Sequence, residues 1–441
     1  MRAMADASKS GAKAIGWIAA SLTLSCYSGQ TGGSTAVSAD GGRTDAHLSD
    51  ATISTTPDAR VILDSFRAVD ATDDTTIAIV CPTAPPVNLE EIPGLKAACT
   101  EVVLVVGGSA NSDIAVSTNG SGTWTSAHSD GSGQNAFMSS FAFGYGFGLA
   151  VGGSDSLITA NGTTWLSADS GAPTSGFNYR GFGFLNNMFV FVAVGEGSGY
   201  SFTGTNWTFV TNNNPYSTGA LANFSAQAVT YGDVPTDGGT GRYVVVGTTS
   251  NRGPDGGTLP VYAGYRTSTD GENWSDDVAL LDSQGNKMSG FSNAVTFCNG
   301  HYVLVGDGNG NPKPNADGLI AWSTDGLDWH VQTAIDSDAS AHISFDVVAC
   351  TGTTFIAAAN IYSRGVWTST DGETWTVNQS AAGFGQLTAF ENYFIGGPVG
   401  GAAKGVVSVS SDNGQTWAMQ TALTNGDSVY SVGAGRVLKT Q

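Results

Sequence analysis

The sequence predicts an all-β fold, a seven-bladed β-propeller of four-stranded antiparallel blades over residues 101–441. A short motif, a Ser/Thr-x-Asp/Asn-Gly turn followed by a Trp, recurs seven times in stricter or looser form. Before each copy lies a second recurring unit, which reads as strand, tight turn and strand. The two units together give four strands per repeat, and most successive motif tryptophans are roughly 40–45 residues apart, the size of a propeller blade.

The motif has a structural explanation. Apolar and polar residues alternate on both sides of an Asp-Gly or Asn-Gly turn, which is typical of a hairpin, and the carboxylate can accept backbone N–H groups further along the turn. The Trp that follows supplies a large buried ring. Seven near-identical turns cannot all be one active site, so we assign them a structural role. The clearest such pairs are Asp270 and Trp274, Asp325 and Trp329, Asp371 and Trp375, and Asp412 and Trp417.

These residues carry a resemblance to a known family. Ser410–Trp417 reads S-S-D-N-G-Q-T-W and is similar to the S-x-D-x-G-x-x-W Asp-box of the sialidase-like (BNR) propeller superfamily. The copies that begin at Ser268, Ser323 and Ser369 are one residue shorter. The resemblance covers roughly residues 100–441. It implies Asp-box turns and a propeller fold, but the superfamily includes glycosidases, lectins, receptors and assembly factors, so it implies no single function.

The resemblance does not extend to sialidase chemistry. Those enzymes use an arginine cluster, a Tyr/Glu nucleophile pair, an acidic proton donor and an Arg-Ile-Pro motif, and that last motif is absent here. The arginines stand in no matching context. We therefore expect a non-sialidase member of lipoprotein type.

The N-terminus predicts export. Residues 1–26 combine a basic start with an apolar run too short to span a bilayer, and Leu22–Cys26 resembles a lipobox. We expect lipidation of Cys26, and a plain secretory signal with an incidental Cys is the alternative. The chain would then be an outer-membrane or cell-surface lipoprotein, or otherwise secreted or periplasmic.

Two segments separate the signal from the propeller. Residues 27–58 are rich in Gly, Ser, Thr and Asp, which predicts a disordered tether. Residues 59–100 are harder to interpret, and we expect an extension that packs on the propeller. Its cysteines Cys81 and Cys99 bracket a Pro-rich loop and form the first predicted disulfide. Cys298 and Cys350 fall at equivalent positions of neighbouring blades, and their pairing stays open, because the Cα separation could exceed what a disulfide tolerates.

The net charge of the chain limits the kinds of partner that it can bind. The formal net charge is −20, which argues against nucleic acid, and against a membrane as partner except through a lipid anchor. We expect a monomer. The tail 429–439 repeats the first hairpin unit without a following motif, so we expect it to close the ring by completing the blade that carries Trp124. An eighth, partial blade is the alternative.

The expected ligand face is the one opposite the motif turns. Long insertions at 248–265 and 307–318 are predicted loops there, and long loops on a rigid scaffold often carry function. Aromatic, amide and charged side chains on these and the blade-to-blade loops would suit a glycan or a protein partner. The predicted ligand-binding residues are Tyr179, Arg180, Tyr216, Arg252, Asp255, Asp307, Asn309 and Asn311.

A catalytic reading is the alternative. Glu196 and Asp307 occupy equivalent positions two blades apart and could form the carboxyl pair of a carbohydrate-active hydrolase or lyase. Asp307, Asn309 and Asn311 also resemble the start of a calcium loop, but Gly318 stands where the bidentate Glu would be. We expect no cofactor and no metal beyond this weak calcium possibility. A binding or scaffold module is the favoured function, and the hydrolase or lyase is the other.

Overall fold

A computed structural model describes residues 81, 96, 98–131, 137–152, 156–167, 178–194, 197–210, 224–234, 241–252, 258–308, 318–334, 343–359, 366–378, 383–398 and 404–439. Their strands form seven four-stranded antiparallel sheets, numbered here as blades 1 to 7. The predicted seven-bladed β-propeller is therefore confirmed. Helical backbone among the described residues is confined to Lys96, Ala98 and Cys99.

The first three blades use the N-terminal strands and the last strand of the chain. Blade 1 contains β28 (Val429–Leu438), β1 (Thr100–Gly108), β2 (Ile114–Thr118) and β3 (Thr125–His128). Blade 2 contains β4 (Met138–Gly144), β5 (Phe147–Gly152), β6 (Ser156–Thr159) and β7 (Leu166–Ser167). Blade 3 contains β8 (Asn178–Leu185), β9 (Met188–Val194), β10 (Gly197–Ser201) and β11 (Thr208–Val210).

The other four blades follow in chain order. Blade 4 contains β12 (Phe224–Gly232), β13 (Arg242–Arg252), β14 (Thr258–Ser268) and β15 (Val278–Ala279). Blade 5 contains β16 (Phe291–Cys298), β17 (His301–Asp307), β18 (Gly318–Ser323) and β19 (His330–Ala334). Blade 6 contains β20 (Phe345–Cys350), β21 (Phe355–Ala359), β22 (Val366–Ser369) and β23 (Thr376–Asn378). Blade 7 contains β24 (Phe384–Phe390), β25 (Tyr393–Pro398), β26 (Val406–Ser410) and β27 (Ala418–Thr421).

The ring closes in blade 1. Strand β28 pairs antiparallel with β1 from Thr100↔Leu438 to Gly108↔Val429, so the C-terminal strand is the first strand of a sheet begun at the N-terminal end. The first strands of successive blades contact one another around the whole ring. The tail therefore closes blade 1 as predicted, and the alternative of an eighth, partial blade is wrong.

Two disulfides join parts of the chain that are distant in sequence. Cys81 is bonded to Cys99, beside the start of β1, which confirms the first predicted pairing. Cys298 is bonded to Cys350 with a Cα separation of 6.5 Å, within the range that a disulfide tolerates, so the open question is settled in favour of pairing. This second bond joins the first hairpins of blades 5 and 6. Two disulfides are typical of an oxidising compartment, extracellular or periplasmic.

The motif turns connect the third and fourth strands of every blade, and those of blades 4 to 7 share one hydrogen-bond pattern. In blade 4, Ser268 Oγ accepts the Gly271 N–H (2.9 Å) and donates to Asp270 Oδ1 (2.8 Å). The same Oδ1 accepts the N–H groups of Glu272 and Asn273 at 2.9 and 2.8 Å. The hydroxyl and the carboxylate thus satisfy the amides of the turn that the strands leave unpaired. Corresponding bonds form in blades 5, 6 and 7.

The glycine of each motif turn also sets how closely blades approach. Gly271 has φ +75°, and a Cβ built there would lie 2.5 Å from Met188 Cε in the preceding blade. The motif glycines of blades 2, 3, 5, 6 and 7 likewise have positive φ and leave only 2.6–2.9 Å between such a Cβ and a side chain of the blade before. A larger residue would be strained and would push the blades apart. The motif turns are therefore part of the packing between blades.

The core lies between the sheets. Its clusters combine second- and third-strand residues of neighbouring blades with motif residues; Tyr265 of blade 4, for example, shares a cluster with Tyr302 and Trp329 of blade 5. The Trp165 and Trp274 side chains are buried, whereas Trp329, Trp375 and Trp417 are half-buried against such clusters. In the part of the chain described, no helix has the length and apolar character needed to cross a membrane.

The motif carboxylates predict a loss of stability in acid. Hydrogen bonds from the Thr374 N–H, and from Ser369 and the Glu373 N–H, lower the pKa of Asp371 to about 2. A carboxyl whose folded-state pKa is depressed contributes stability that is present above its unfolded value, near pH 4, and lost as pH falls towards 2.

We expect Asp371→Asn to lower the free energy of unfolding at pH 7 by about 1 kcal/mol, because a charged acceptor becomes neutral. The difference from wild type should shrink as pH falls from 4 to 2. Thermal unfolding followed by circular dichroism at each pH measures it. A difference that does not change with pH would show that the carboxylate charge does not stabilise this turn.

Candidate functional site

The two faces of the ring differ in what connects the strands. Because the strands alternate in direction, the turns between first and second strands and the motif turns lie on one face. The connections between second and third strands, and from blade to blade, lie on the other. We call these the motif face and the opposite face.

A β-bulge occurs at the opposite face in all seven first strands. In blade 5, Ser292 pairs with Gly306 and Ala294 with Val305, so Asn293 is an extra residue with no partner in the ladder. The same shift occurs in the other six blades, always where the first strand begins. Bulges of this kind re-aim a side chain and are frequent beside functional sites. We call the seven extra residues the bulge ring.

The bulge ring has a constant backbone and a different residue in every blade. In order from blade 1 to blade 7, its members are Tyr430, Ser139, Arg180, Gln227, Asn293, Asp346 and Gly385. Arg180 and Tyr430 are exposed, the latter by 40%, and the others are half-buried. Since first strands are innermost, these residues lie around the axial opening of the opposite face.

Several members of the ring are held by neighbouring groups. Asn293 Nδ2 donates to the Phe345 carbonyl oxygen of the next blade at 2.9 Å. Ser139 Oγ donates to the Val151 carbonyl oxygen at 2.9 Å. The Tyr430 ring lies 4.6 Å, centroid to centroid, from that of Phe137. These contacts fix part of the ring before any ligand arrives.

Charge is distributed unevenly around the ring. Its one cation, Arg180, and its one carboxylate, Asp346, are three blades apart, with the amides Gln227 and Asn293 on the two blades between them. The formal charges cancel although the whole chain carries −20. The ring therefore offers polar recognition without a strong field of either sign.

Among the described strands, the two longest belong to blade 4 and extend towards the opposite face. Strands β13 and β14 are 11 residues each and pair as far as Arg252↔Thr258, so most of the predicted loop 248–265 is a β-hairpin. The prediction of a loop there is wrong, because the inserted residues continue the ladder. A short hairpin at 280–290 packs beside it, with Lys287 Nζ 5.3 Å from the Tyr262 ring centroid.

The predicted site residues are only partly brought together. Arg180 is a member of the bulge ring. Tyr179, predicted on a loop, is instead in β8, and its 4% exposure reflects packing of its ring against Phe191 and Phe182. Arg252 lies at the end of β13 on the opposite face.

Asp307 lies on the same face, at the end of β17, where it pairs with Phe291 beside the blade 5 bulge. Five predicted residues fall outside the described part of the chain: Glu196, Tyr216, Asp255, Asn309 and Asn311. So does Cys26. The proposed Glu196–Asp307 pair and the calcium loop at Asp307 accordingly stay predictions. Among the described residues, no three His, Cys, Asp or Glu side chains are grouped so that they could hold a metal ion.

The other six members of the bulge ring were not predicted from the sequence, although their strands share a recognisable pattern. Each first strand begins with a four-residue pattern whose second residue is the bulge residue. The alternation of apolar residues along the strand starts after it. The patterns are V-Y-S-V, M-S-S-F, Y-R-G-F, A-Q-A-V, S-N-A-V, F-D-V-V and F-G-Q-L. A residue that breaks strict alternation at one position in every repeat predicts a bulge.

The sequence matches no protein-family model and no curated protein. Among solved structures, it is similar to "YCF48 bound to D1 peptide" at 15% identity, covering 67% of this chain and 88% of that one, with a TM-score of 0.45. Apo AztD from Citrobacter koseri aligns at 11% identity over 76% of this chain and 98% of its own, with a TM-score of 0.42.

Sqt1 of Saccharomyces cerevisiae aligns at 13% identity over 74% of this chain and 84% of its own, with a TM-score of 0.46. At these identities and TM-scores the similarities carry no argument about function. The seven-bladed fold stands on the strand pairing described above.

Proposed function

We propose that this chain is an exported binding or scaffold module whose partner contacts the bulge ring. The observation that carries the proposal is the bulge itself, which recurs at one position in seven blades while its side chain differs in each. A repeated backbone device with varied side chains suits recognition, since the scaffold is fixed and the chemistry is free to specialise.

The chemistry of the ring suits a glycan or a protein at the cell surface. Carboxamides donate and accept hydrogen bonds, as hydroxyl groups and peptide groups require. Tyr430 offers an exposed ring and Arg180 a fork of N–H donors. The chain's net charge of −20 opposes nucleic acid as the partner.

The same ring argues for binding over catalysis. Hydrolysis of a glycosidic bond by the usual route needs two carboxyl groups on either side of that bond. The bulge ring supplies one, from Asp346. The hydrolase or lyase alternative would need a second acid beyond the ring, and the predicted partner Glu196 lies outside the described residues.

Arg180 and Tyr430 provide the test of the proposed site. We expect Arg180→Ala/Tyr430→Ala to abolish the binding that wild type shows on a glycan array or a displayed peptide library. Both side chains are exposed, so the melting temperature should stay within a few degrees. Leu327→Ala is the matched control, an exposed side chain on the motif face.

Glycan or peptide binding that survives the double variant and is lost in Leu327→Ala would place the site on the motif face and contradict the proposal. Binding to the glycan array alone would indicate a glycan partner, and binding to the peptide library alone would indicate a protein partner.

We further propose that the chain is a lipoprotein-type, non-sialidase member of the sialidase-like superfamily. The motif at Ser410–Trp417 supports the family, and Leu22–Cys26 supports the anchor. The two disulfides agree with an oxidising compartment. Residues 27–58 would serve as the tether and 59–100 as a covering extension.

Lipidation of Cys26 predicts a mature chain that begins at this residue and carries acyl chains. Mass spectrometry of the membrane fraction would detect it, and Cys26→Ala should move the protein to the soluble fraction. A mature N-terminus elsewhere, or firm membrane association of Cys26→Ala, would contradict the anchor and leave a secretory signal.

A further inference from the structure

Two carboxyl groups meet where the ring closes. On the opposite face of blade 1, the Ser109 N–H donates to the Ser428 carbonyl oxygen (3.0 Å), which joins the turn after β1 to the segment before β28. Asp113 on that turn is 4% exposed, and Asp427 on that segment is half-buried. The Asn425 side-chain amide donates to Oδ2 of Asp113 and lies 3.4 Å from Oδ2 of Asp427.

The shared Asn425 amide and the Ala110 N–H compensate the negative charges of the buried Asp113 and the half-buried Asp427 only in part. Two carboxyl groups that contact the same amide repel each other when both are ionised, and a carboxyl that keeps its proton can donate it to the other. Burial, followed by the hydrogen bond to Asp113 and the Asp113 charge, raises the pKa of Asp427 to about 6. Asp427 therefore loses its proton at about pH 6.

The surrounding elements carry few other titratable groups. The Asp130 N–H donates to the Asn111 carbonyl oxygen in the turn after β1, and His128 ends β3 on the opposite face. Lys404 precedes Gly405, whose carbonyl oxygen accepts the N–H groups of Ala422 and Leu423. On the paired strands themselves, Tyr430 lies three residues beyond Asp427, whereas Glu101 and Arg436 lie at the far ends of β1 and β28.

We propose that Asp113 and Asp427 form a pH-sensitive latch on the closure of the ring. While they share one proton, they hold residues 425–428 against the turn after β1; when the proton is lost, their repulsion loosens that contact. Tyr430, three residues beyond Asp427, follows the loosened segment. The latch goes beyond the proposed binding function and does not depend on it, because closure of blade 1 is a property of the fold.

The direction of the pH effect follows from the raised pKa. A carboxyl whose folded-state pKa lies above its unfolded value contributes stability that is fully present below about pH 4 and lost as pH rises through about 6. This is opposite to the motif carboxylates, whose contribution is lost towards pH 2. Stability should therefore be greatest between about pH 4 and 6.

The experiment measures melting temperature and amide hydrogen exchange of the full chain between pH 4 and 8. In wild type, the melting temperature should fall from pH 5 to pH 7. After correction for intrinsic exchange, local opening at Gly108 and Ser109 should increase by up to about tenfold per pH unit, the limit for one proton. Asp427→Asn and Asp113→Asn should each remove this dependence. Asp130→Asn, with the same charge change, should retain it.

A wild-type melting temperature that does not fall between pH 5 and 7 would overturn the latch. So would a fall that persists in both Asp113→Asn and Asp427→Asn, or one that disappears in Asp130→Asn. If one latch variant fails to fold, the other decides. Loss of partner binding in the Arg180/Tyr430 variant leaves this outcome unaffected, so the two proposals fail separately.

Discussion

The pairing of β28 with β1 is the interaction on which the rest of the structure depends. A ring of sheets packed face to face has an unpaired innermost edge in blade 1 unless the last strand supplies it. Nine residue pairs, from Thr100↔Leu438 to Gly108↔Val429, provide that edge. The disulfide at Cys81–Cys99 and the bond from Lys439 N–H to the Cys99 carbonyl oxygen reinforce the same seam. Without this pairing, blade 1 lacks its innermost strand and the ring of blades stays open.

The two faces of the ring have different roles. On the motif face, the Ser–Asp–Gly turns satisfy their own amides and let adjacent blades approach to van der Waals contact, as at Gly271 and Met188. Their sequence has little freedom, since the glycine needs both a positive φ and the absence of a Cβ. On the opposite face, the bulge keeps its position in every blade and leaves its side chain unconstrained by the ladder. The motif face therefore keeps its sequence nearly constant, whereas the opposite face varies from blade to blade.

Much of the fold was predictable from the sequence because the repeat unit occurs seven times. The motif turns, the four strands per blade and the closing tail follow from periodicity, and the Cys81–Cys99 pairing follows from spacing. The Cys298–Cys350 bond could not be decided in advance, since it depends on the separation of two blades. The extended hairpin of blade 4 was misread because an insertion rich in Gly and Pro resembles a loop until its ladder is known.

The site was harder to predict than the fold for a physical reason. A bulge is a property of two paired strands, so a single strand's pattern shows only one residue out of alternation. Arg180 was identified through its chemistry, whereas Tyr430, Asn293 and Asp346 became visible only once their registers could be compared. Tyr179 was misassigned because an aromatic beside an Arg looks exposed in sequence, although its ring is buried against Phe191.

The most direct test of this account is removal of the closing strand. A chain that lacks residues 429–441 should lose cooperative thermal unfolding, whereas a control that lacks only 440–441 should unfold as wild type does. Differential scanning calorimetry of the two chains measures this. A single cooperative transition at the wild-type temperature in the longer deletion would contradict closure by β28.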